Sequence, residues 1–230
     1  MQARVVVWAS ICYTAPMVIT YYGHEFFKLQ FGDTVIAVNP ISKQSLLKQT
    51  KFGADIVLLG SQNDPNKNGV DMVIYGEKAP FVISGPGEYE VGGIFVKGAN
   101  ITPENTEPGK HPFMTAYWIL LEGMRLCFLN GLSTKHLSKE TREMIGEVDI
   151  LFVPIGGGEV LAASLAHEVA VSLEPKMIIP MHFDDTNKKE GALMQFLKEA
   201  GAEEIQPVDK LTIKKKDVAE ANGAIVVLSS

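Results

Sequence analysis

The residues of this chain whose types could do chemistry are its five histidines, His24, His111, His136, His167 and His182, and a few carboxylates and hydroxyls in polar loops. Imidazole together with carboxylate is the donor set of a catalytic divalent metal, and imidazole beside a serine hydroxyl is the base of a nucleophile. The carboxylates within reach of such roles are Asp64, in the polar run 60–69, and Asp184 and Asp185, which follow His182. Ser61 and Ser133 are loop hydroxyls that His182 or His24 could activate, but no G-x-S-x-G elbow surrounds either serine. Glu88 and Glu90 alternate along a strand and so share one face, which reads as a solvated hairpin rather than an acid–base pair. The triplet Gly156-Gly157-Gly158 could offer backbone N–H groups to an anion ahead of a helix, and a tight turn explains it equally well. His167 lies within a helical stripe, where a lone imidazole is a boundary residue. His111 and His136 sit in loops with no partner at ligand spacing.

The elements that must position these residues are legible as periodicity. Short apolar or β-branched runs at 18–22, 26–31, 34–38, 55–59, 81–84, 93–98, 115–122, 124–129, 149–154 and 176–180 end at glycine, proline or asparagine, as strands do. Runs such as Ile56-Val57-Leu58-Leu59 and Ile150-Leu151-Phe152-Val153 are apolar throughout, which predicts strands covered on both faces. Helices are predicted at 138–145, with Ser138 as N-cap and Glu140 in the first turn, at 161–173, and at about 189–200 before Gly201. In the first half a helix is expected at 42–49, at 68–75, or at neither. A strand-rich first half followed by strand–helix alternation predicts sheets sandwiched between helices. Five loops, 60–69, 84–90, 130–136, 155–159 and 181–185, are polar or glycine-rich, and they form a site if they share one edge. The Gly/Pro-rich stretch 102–112 reads as a surface loop.

Composition excludes several classes. With 230 residues, 46% hydrophobic and 21% charged, the chain is an ordinary globular domain, and no apolar run approaches the roughly 20 residues that span a bilayer. A formal charge of −6 argues against a nucleic-acid footprint. The one basic cluster, Lys210, Lys214, Lys215 and Lys216, reads as solvated lysines guarding a sheet edge. Cys12 and Cys127 are too few for a disulfide framework, Cys127 reads as a buried thiol, and the expected compartment is the cytoplasm. Residues 1–16 are expected to be an N-terminal extension, with one domain over 17–230.

The order of Tyr22-Gly23-His24, Ala54-Asp55-Ile56-Val57-Leu58-Leu59, Gly85-Pro86-Gly87-Glu88-Tyr89-Glu90-Val91, Leu126-Cys127-Phe128-Leu129, Val153-Pro154-Ile155-Gly156-Gly157 and Ile178-Ile179-Pro180-Met181-His182 resembles the metallo-β-lactamase superfamily, in the branch of zinc-dependent hydrolases that includes the ascorbate phosphate lactonases. The resemblance implies a mixed α/β fold, a four-layer αββα sandwich, with one or two metal ions at its edge. In the family an H-x-H-x-D-H loop follows the strand at 55–59; here Ser61, Asn63, Pro65 and Asn66 fall on its ligand positions, and a shift of one residue puts Asp64 on the aspartate without restoring a histidine. The family's next histidine would fall in 100–106, which holds none, and its bridging aspartate falls at Asn130-Gly131. His182 alone stands unchanged, while His24 matches a family histidine read here as packing beneath the site.

Serine, asparagine and proline cannot replace imidazole at a tight zinc centre. The expectation is therefore a degenerate site, with no cofactor and a vestigial cleft of Ser61, Asn63, Asp64, Asn66, Asn130 and His182. Such a pseudoenzyme would serve as a binding or assembly module for a small molecule or protein, or as a homo-oligomer, since relatives in this branch commonly self-associate. The alternative is a hydrolase of lactones, esters or phosphodiesters with zinc or another divalent metal on a rearranged site around Asp64, His182 and Asp184. Whether the chain is an enzyme stays open at this point.

Overall fold

The computed structural model describes residues 15–101, 113–183 and 191–230. Cys12 and the rest of 1–14 of the proposed extension, the loop 102–112 with His111, and the carboxylates Asp184 and Asp185 fall outside them.

The first half is a run of strands: β1 (Met17–Tyr21), β2 (Phe27–Phe31), β3 (Thr34–Val38), β4 (Ile56–Leu58), β5 (Phe81–Ile83), β6 (Gly87–Val91), β7 (Ile94–Asn100), β8 (Thr115–Leu121) and β9 (Met124–Phe128). Alternation follows with α1 (Lys139–Ile145), β10 (Ile150–Pro154), α2 (Ala163–Ser172), β11 (Met177–Met181), α3 (Ala192–Glu199), β12 (Lys210–Ile213), α4 (Lys215–Ala219) and β13 (Ala224–Ile225). Two mixed sheets result, one of six strands in the order β12-β1-β2-β3-β4-β5 and one of seven in the order β13-β11-β10-β9-β8-β7-β6. Helices flank them, giving the αββα sandwich.

The wholly apolar runs became strands that are buried along their length, β4, β10 and β11, with β10 pairing in parallel to both β9 and β11. The two sheets meet through aromatic rings. Phe27 of β2 packs edge-on against Phe152 at 5.0 Å and Phe128 at 5.8 Å, and these two stack on each other at 3.8 Å. All three side chains are fully buried, and such aromatic pairs add about 0.5–1.5 kcal/mol each beyond their area burial. A smaller cluster, including Phe26, Ile41, Val57 and Val73, lies apart from this core. Neither helix considered for the first half forms as an α-helix; a 3-10 turn at Val70–Met72 is what appears there.

Ser138 caps α1 as expected, its Oγ accepting from Thr141 N at 3.1 Å. The basic cluster falls on β12, the edge strand of the first sheet, and on the α4 that follows, with Lys210, Lys215 and Lys216 exposed. Cys127 is fully buried in β9, and burial pushes its thiol up to about 12, far from a reactive thiolate.

Candidate metal centre at the sandwich edge

Hydrogen bonds tie the described parts of several of the polar loops to their neighbours at one edge. Thr115 N donates to Gly60 O at 2.9 Å, Ile155 N to Met181 O at 3.0 Å, and His182 N to His24 O at 2.5 Å. Gln62 reaches across to Ser84 O at 2.8 Å. Two close approaches need glycine: a β-carbon on Gly60 would lie 2.6 Å from Asn130 Cβ, and one on Gly156 would lie 2.3 Å from His182 O.

At this edge His24 and His182 stand side by side, with ring centroids 4.0 Å apart. Each holds a left-handed backbone conformation, φ 55° for His24 and 58° for His182. Non-glycine residues seldom adopt it, and such outliers gather at functional sites, where the surrounding structure over-determines them. The over-determination is visible here. His24 O accepts from both His182 N and the Tyr21 hydroxyl, the latter at 2.8 Å.

Glu25, next in sequence to His24 and fully buried, faces two ways. Its Oε1 lies 2.8 Å from His182 Nδ1 and accepts from Gly131 N at 3.0 Å; its Oε2 lies 3.0 Å from Lys67 Nζ. Burial alone would raise the Glu25 carboxyl, but Lys67 and His182 more than offset it and hold it well below the usual carboxylate range. A charged Glu25 at Oε1 is an acceptor, so the His182 Nδ1 that faces it carries a proton and the tautomer able to bind a metal does so through Nε2. His24 is pushed down to about 4, first by burial and then by neighbouring His182, so its ring is neutral near pH 7. Its Nε2 is buried and makes no hydrogen bond.

Behind these groups lies a satisfied polar floor. Asn39 Nδ2 donates to Asn130 Oδ1 at 2.9 Å, Gly60 N donates to Asn39 Oδ1 at 2.6 Å, and Asn130 Nδ2 donates to Thr115 O at 2.9 Å.

The expected cleft residues distribute unevenly around this core. Asn130 and Ser61 are buried at the edge, and the Ser61 hydroxyl has no hydrogen-bond partner, so it is not joined to either imidazole as a nucleophile would be. Asn63 is exposed, and Asn66 bonds Ser45 Oγ at 2.5 Å. Asp64 accepts from Asn66 N at 2.9 Å and lies 4.0 Å from Lys67 Nζ. Ser133 and His136 are exposed, His167 packs on the Phe196 ring of α3, and Glu88 and Glu90 are exposed on the edge strand β6. Of the rearranged set of Asp64, His182 and Asp184, the last lies outside the described residues, Asp64 turns toward Lys67, and His182 stands with His24 and Glu25. His24, expected to pack beneath the site, stands beside His182 and Glu25. Glu25 and Lys67 escaped the sequence reading altogether. The one available signal for Glu25 was a charge set between a histidine and the apolar pair Phe26-Phe27, and for Lys67 there was none.

The donors can be tested against the divalent ion that the resemblance implies. His24, Glu25 and His182 each offer a ligand atom, all lying within 4.8 Å of one another. Two imidazoles and one carboxylate are a ligand set that catalytic zinc sites use. A buried, neutral imidazole nitrogen without a partner is a group that lacks only a Lewis acid or a donor. The residues present fit one ion.

Comparison with known proteins bears on the family and the fold. Residues 18–182 match the family model described as the β-lactamase superfamily domain. A metal-dependent hydrolase of Lysinibacillus sphaericus is 26% identical over 197 residues, covering 73% of this chain and 86% of that protein. The structure of a candidate Zn-dependent hydrolase of the metallo-β-lactamase superfamily from Thermotoga maritima superposes with a TM-score of 0.73 at 28% identity, covering 93% of this chain and all of that one. The metallo-β-lactamase fold protein YhfI of Bacillus subtilis shares the fold, with a TM-score of 0.59 at 10% identity over 94% of this chain and 97% of its own. The matched segment runs from β1 to His182 and so encloses the two histidines and the glutamate between them. This chain belongs to the β-lactamase superfamily domain family.

Proposed function

We propose that this protein is a metal-dependent hydrolase whose cation site has moved onto His24, Glu25 and His182, acting on a lactone, ester or phosphodiester. The observation that carries the reading is the buried, unpartnered His24 Nε2 beside His182 and Glu25. The comparisons favour a hydrolase over the binding or assembly module, because the two relatives that share more than a quarter of their residues with this chain are described as hydrolases.

A divalent ion at this position supplies Lewis-acid polarisation of the substrate oxygen and a lowered pKa for water. The protein's own share is positioning. Glu25 holds the His182 ring and its tautomer through Nδ1, the Asn39–Asn130 pair braces the floor behind the site, and the left-handed turns aim the two imidazoles at each other. A metal-free binding cleft is the second reading, favoured by the way Lys67 already neutralises Glu25.

The test is metal analysis of the full chain purified without chelators, with melting curves in added zinc. One ion per chain and a rise of about 5–10 °C at saturating zinc are expected. The rise should vanish in His24→Gln and His182→Gln. No retained metal and no response of the melting temperature to zinc would leave the binding-cleft reading standing.

A further inference from the structure

Lys67 is the least expected residue at this edge. It comes from the loop after β4, and only 2% of its side chain is exposed, beside a Glu25 side chain with none. Lysine is almost never buried to this degree unless paired. Around its Nζ stand Glu25 Oε2 at 3.0 Å, Asp64 Oδ2 at 4.0 Å and Met114 Sδ at 3.9 Å. A β-carbon on Gly131 would lie 2.9 Å from the same Nζ, so glycine there leaves the ammonium its space. The neighbours of Nζ are thus two carboxylate oxygens and a thioether, a set that asks for a positive charge.

Glu25 connects this position to the imidazole pair. One of its oxygens serves His182 and the other serves Lys67, so a single buried carboxylate lies between the two places where positive charge can sit. A buried carboxylate without a nearby cation is strongly destabilising, and Lys67 supplies that charge at the oxygen turned away from His182. A covalently attached ammonium does this at every metal concentration.

We propose that the Lys67 ammonium is a built-in occupant of a second cation position between Glu25 and Asp64, and that it restricts the cleft to a single divalent ion on the His24 side. This rests on the reading of His24, Glu25 and His182 as the site of the first ion. The consequence for substrate is direct: the edge presents one exchangeable ion beside a fixed positive charge rather than two exchangeable ions.

The experiment counts ions per chain by elemental mass spectrometry after equilibrium dialysis of the full-length protein against Zn²⁺ and, because the second position is rich in oxygen donors, against Mn²⁺. Wild type is expected to hold no more than one ion, and Lys67→Ser to hold one more than wild type. Two ions in wild type, or a folded Lys67→Ser with an unchanged count, would overturn the proposal. If wild type binds none, the hydrolase reading fails separately, while a gain of one ion in Lys67→Ser still upholds the second position. Should Lys67→Ser not fold, melting of Lys67→Met against Glu25→Gln/Lys67→Met decides. The single variant is expected to lose about 10 °C and the double to recover most of it, as charge compensation requires. Equal losses in both would sink the idea.

Discussion

Asn39 and Asn130, 91 residues apart, meet in the buried floor of the cleft, with Nδ2 of Asn39 donating to Oδ1 of Asn130 at 2.9 Å and Nδ2 of Asn130 donating onward to Thr115 O at 2.9 Å. Both side chains are fully buried, so every polar atom matters. The family resemblance puts a bridging aspartate at Asn130-Gly131, and the contact with the Thr115 carbonyl shows why asparagine suits this fold. An aspartate would turn an acceptor toward an acceptor.

Asn130→Asp is therefore expected to destabilise the metal-free protein by about 2–4 kcal/mol, through a lost donor and a second buried charge near Glu25. Urea titration at pH 7 measures it. A variant as stable as wild type would show that the floor tolerates a carboxylate and that asparagine was not required there.

His24→Gln and His182→Gln should each weaken metal retention by at least about 10–100-fold, while metal-free stability stays within about 1–2 kcal/mol of wild type. Competition with a chromogenic chelator reads the first and denaturant melts the second. Retention of the ion by His24→Gln would remove His24 from the site.

Acid should expose the ion cluster around Asp149, which accepts from Arg125 N at 2.8 Å and pairs with Arg125 and with Lys176 at 3.1 Å. Burial raises this carboxyl, but the Arg125 and Lys176 contacts outweigh it and hold the group at about 2 against an ordinary 3.8. A carboxylate depressed in the folded state contributes stability above its unfolded value, and that contribution drains away as the pH falls from about 4 through about 2. Asp149→Asn should lose about 2 kcal/mol at pH 7 and flatten the stability profile across that interval. Parallel profiles for wild type and variant would contradict the assignment.

Gly156→Ala should damage the site without touching a donor. The added carbon would lie 2.3 Å from His182 O, so the loop that carries His182 must retreat from the end of β10. A loss of about 1–3 kcal/mol is expected. Zinc affinity should fall with it, and titration calorimetry that found wild-type affinity would show that the two loops are not coupled.

How much of this was legible differs between layers. The strands β3, β4, β10 and β11 and the cap at Ser138 follow from local periodicity and side-chain chemistry, which is why the sheets and α1 were readable. β12 and α4 were not delineated, because Lys210–Ile213 and Lys215–Ala219 are too short and too charged to carry a periodic signal, and pairing with β1 is what makes β12 a strand.

The sequence by itself determined the ordered runs, their apolar faces and the absence of the family's histidine loop after β4, because these depend on residue type and near-neighbour spacing. Only the tertiary structure decided that Glu25 would contact His182 across 157 residues, that His24 would meet the same ring, and that Lys67 would supply the charge the buried carboxylate needs. Electrostatics inside a fold acts through space over a few ångströms, and the chain that separates two such groups carries no record of their distance.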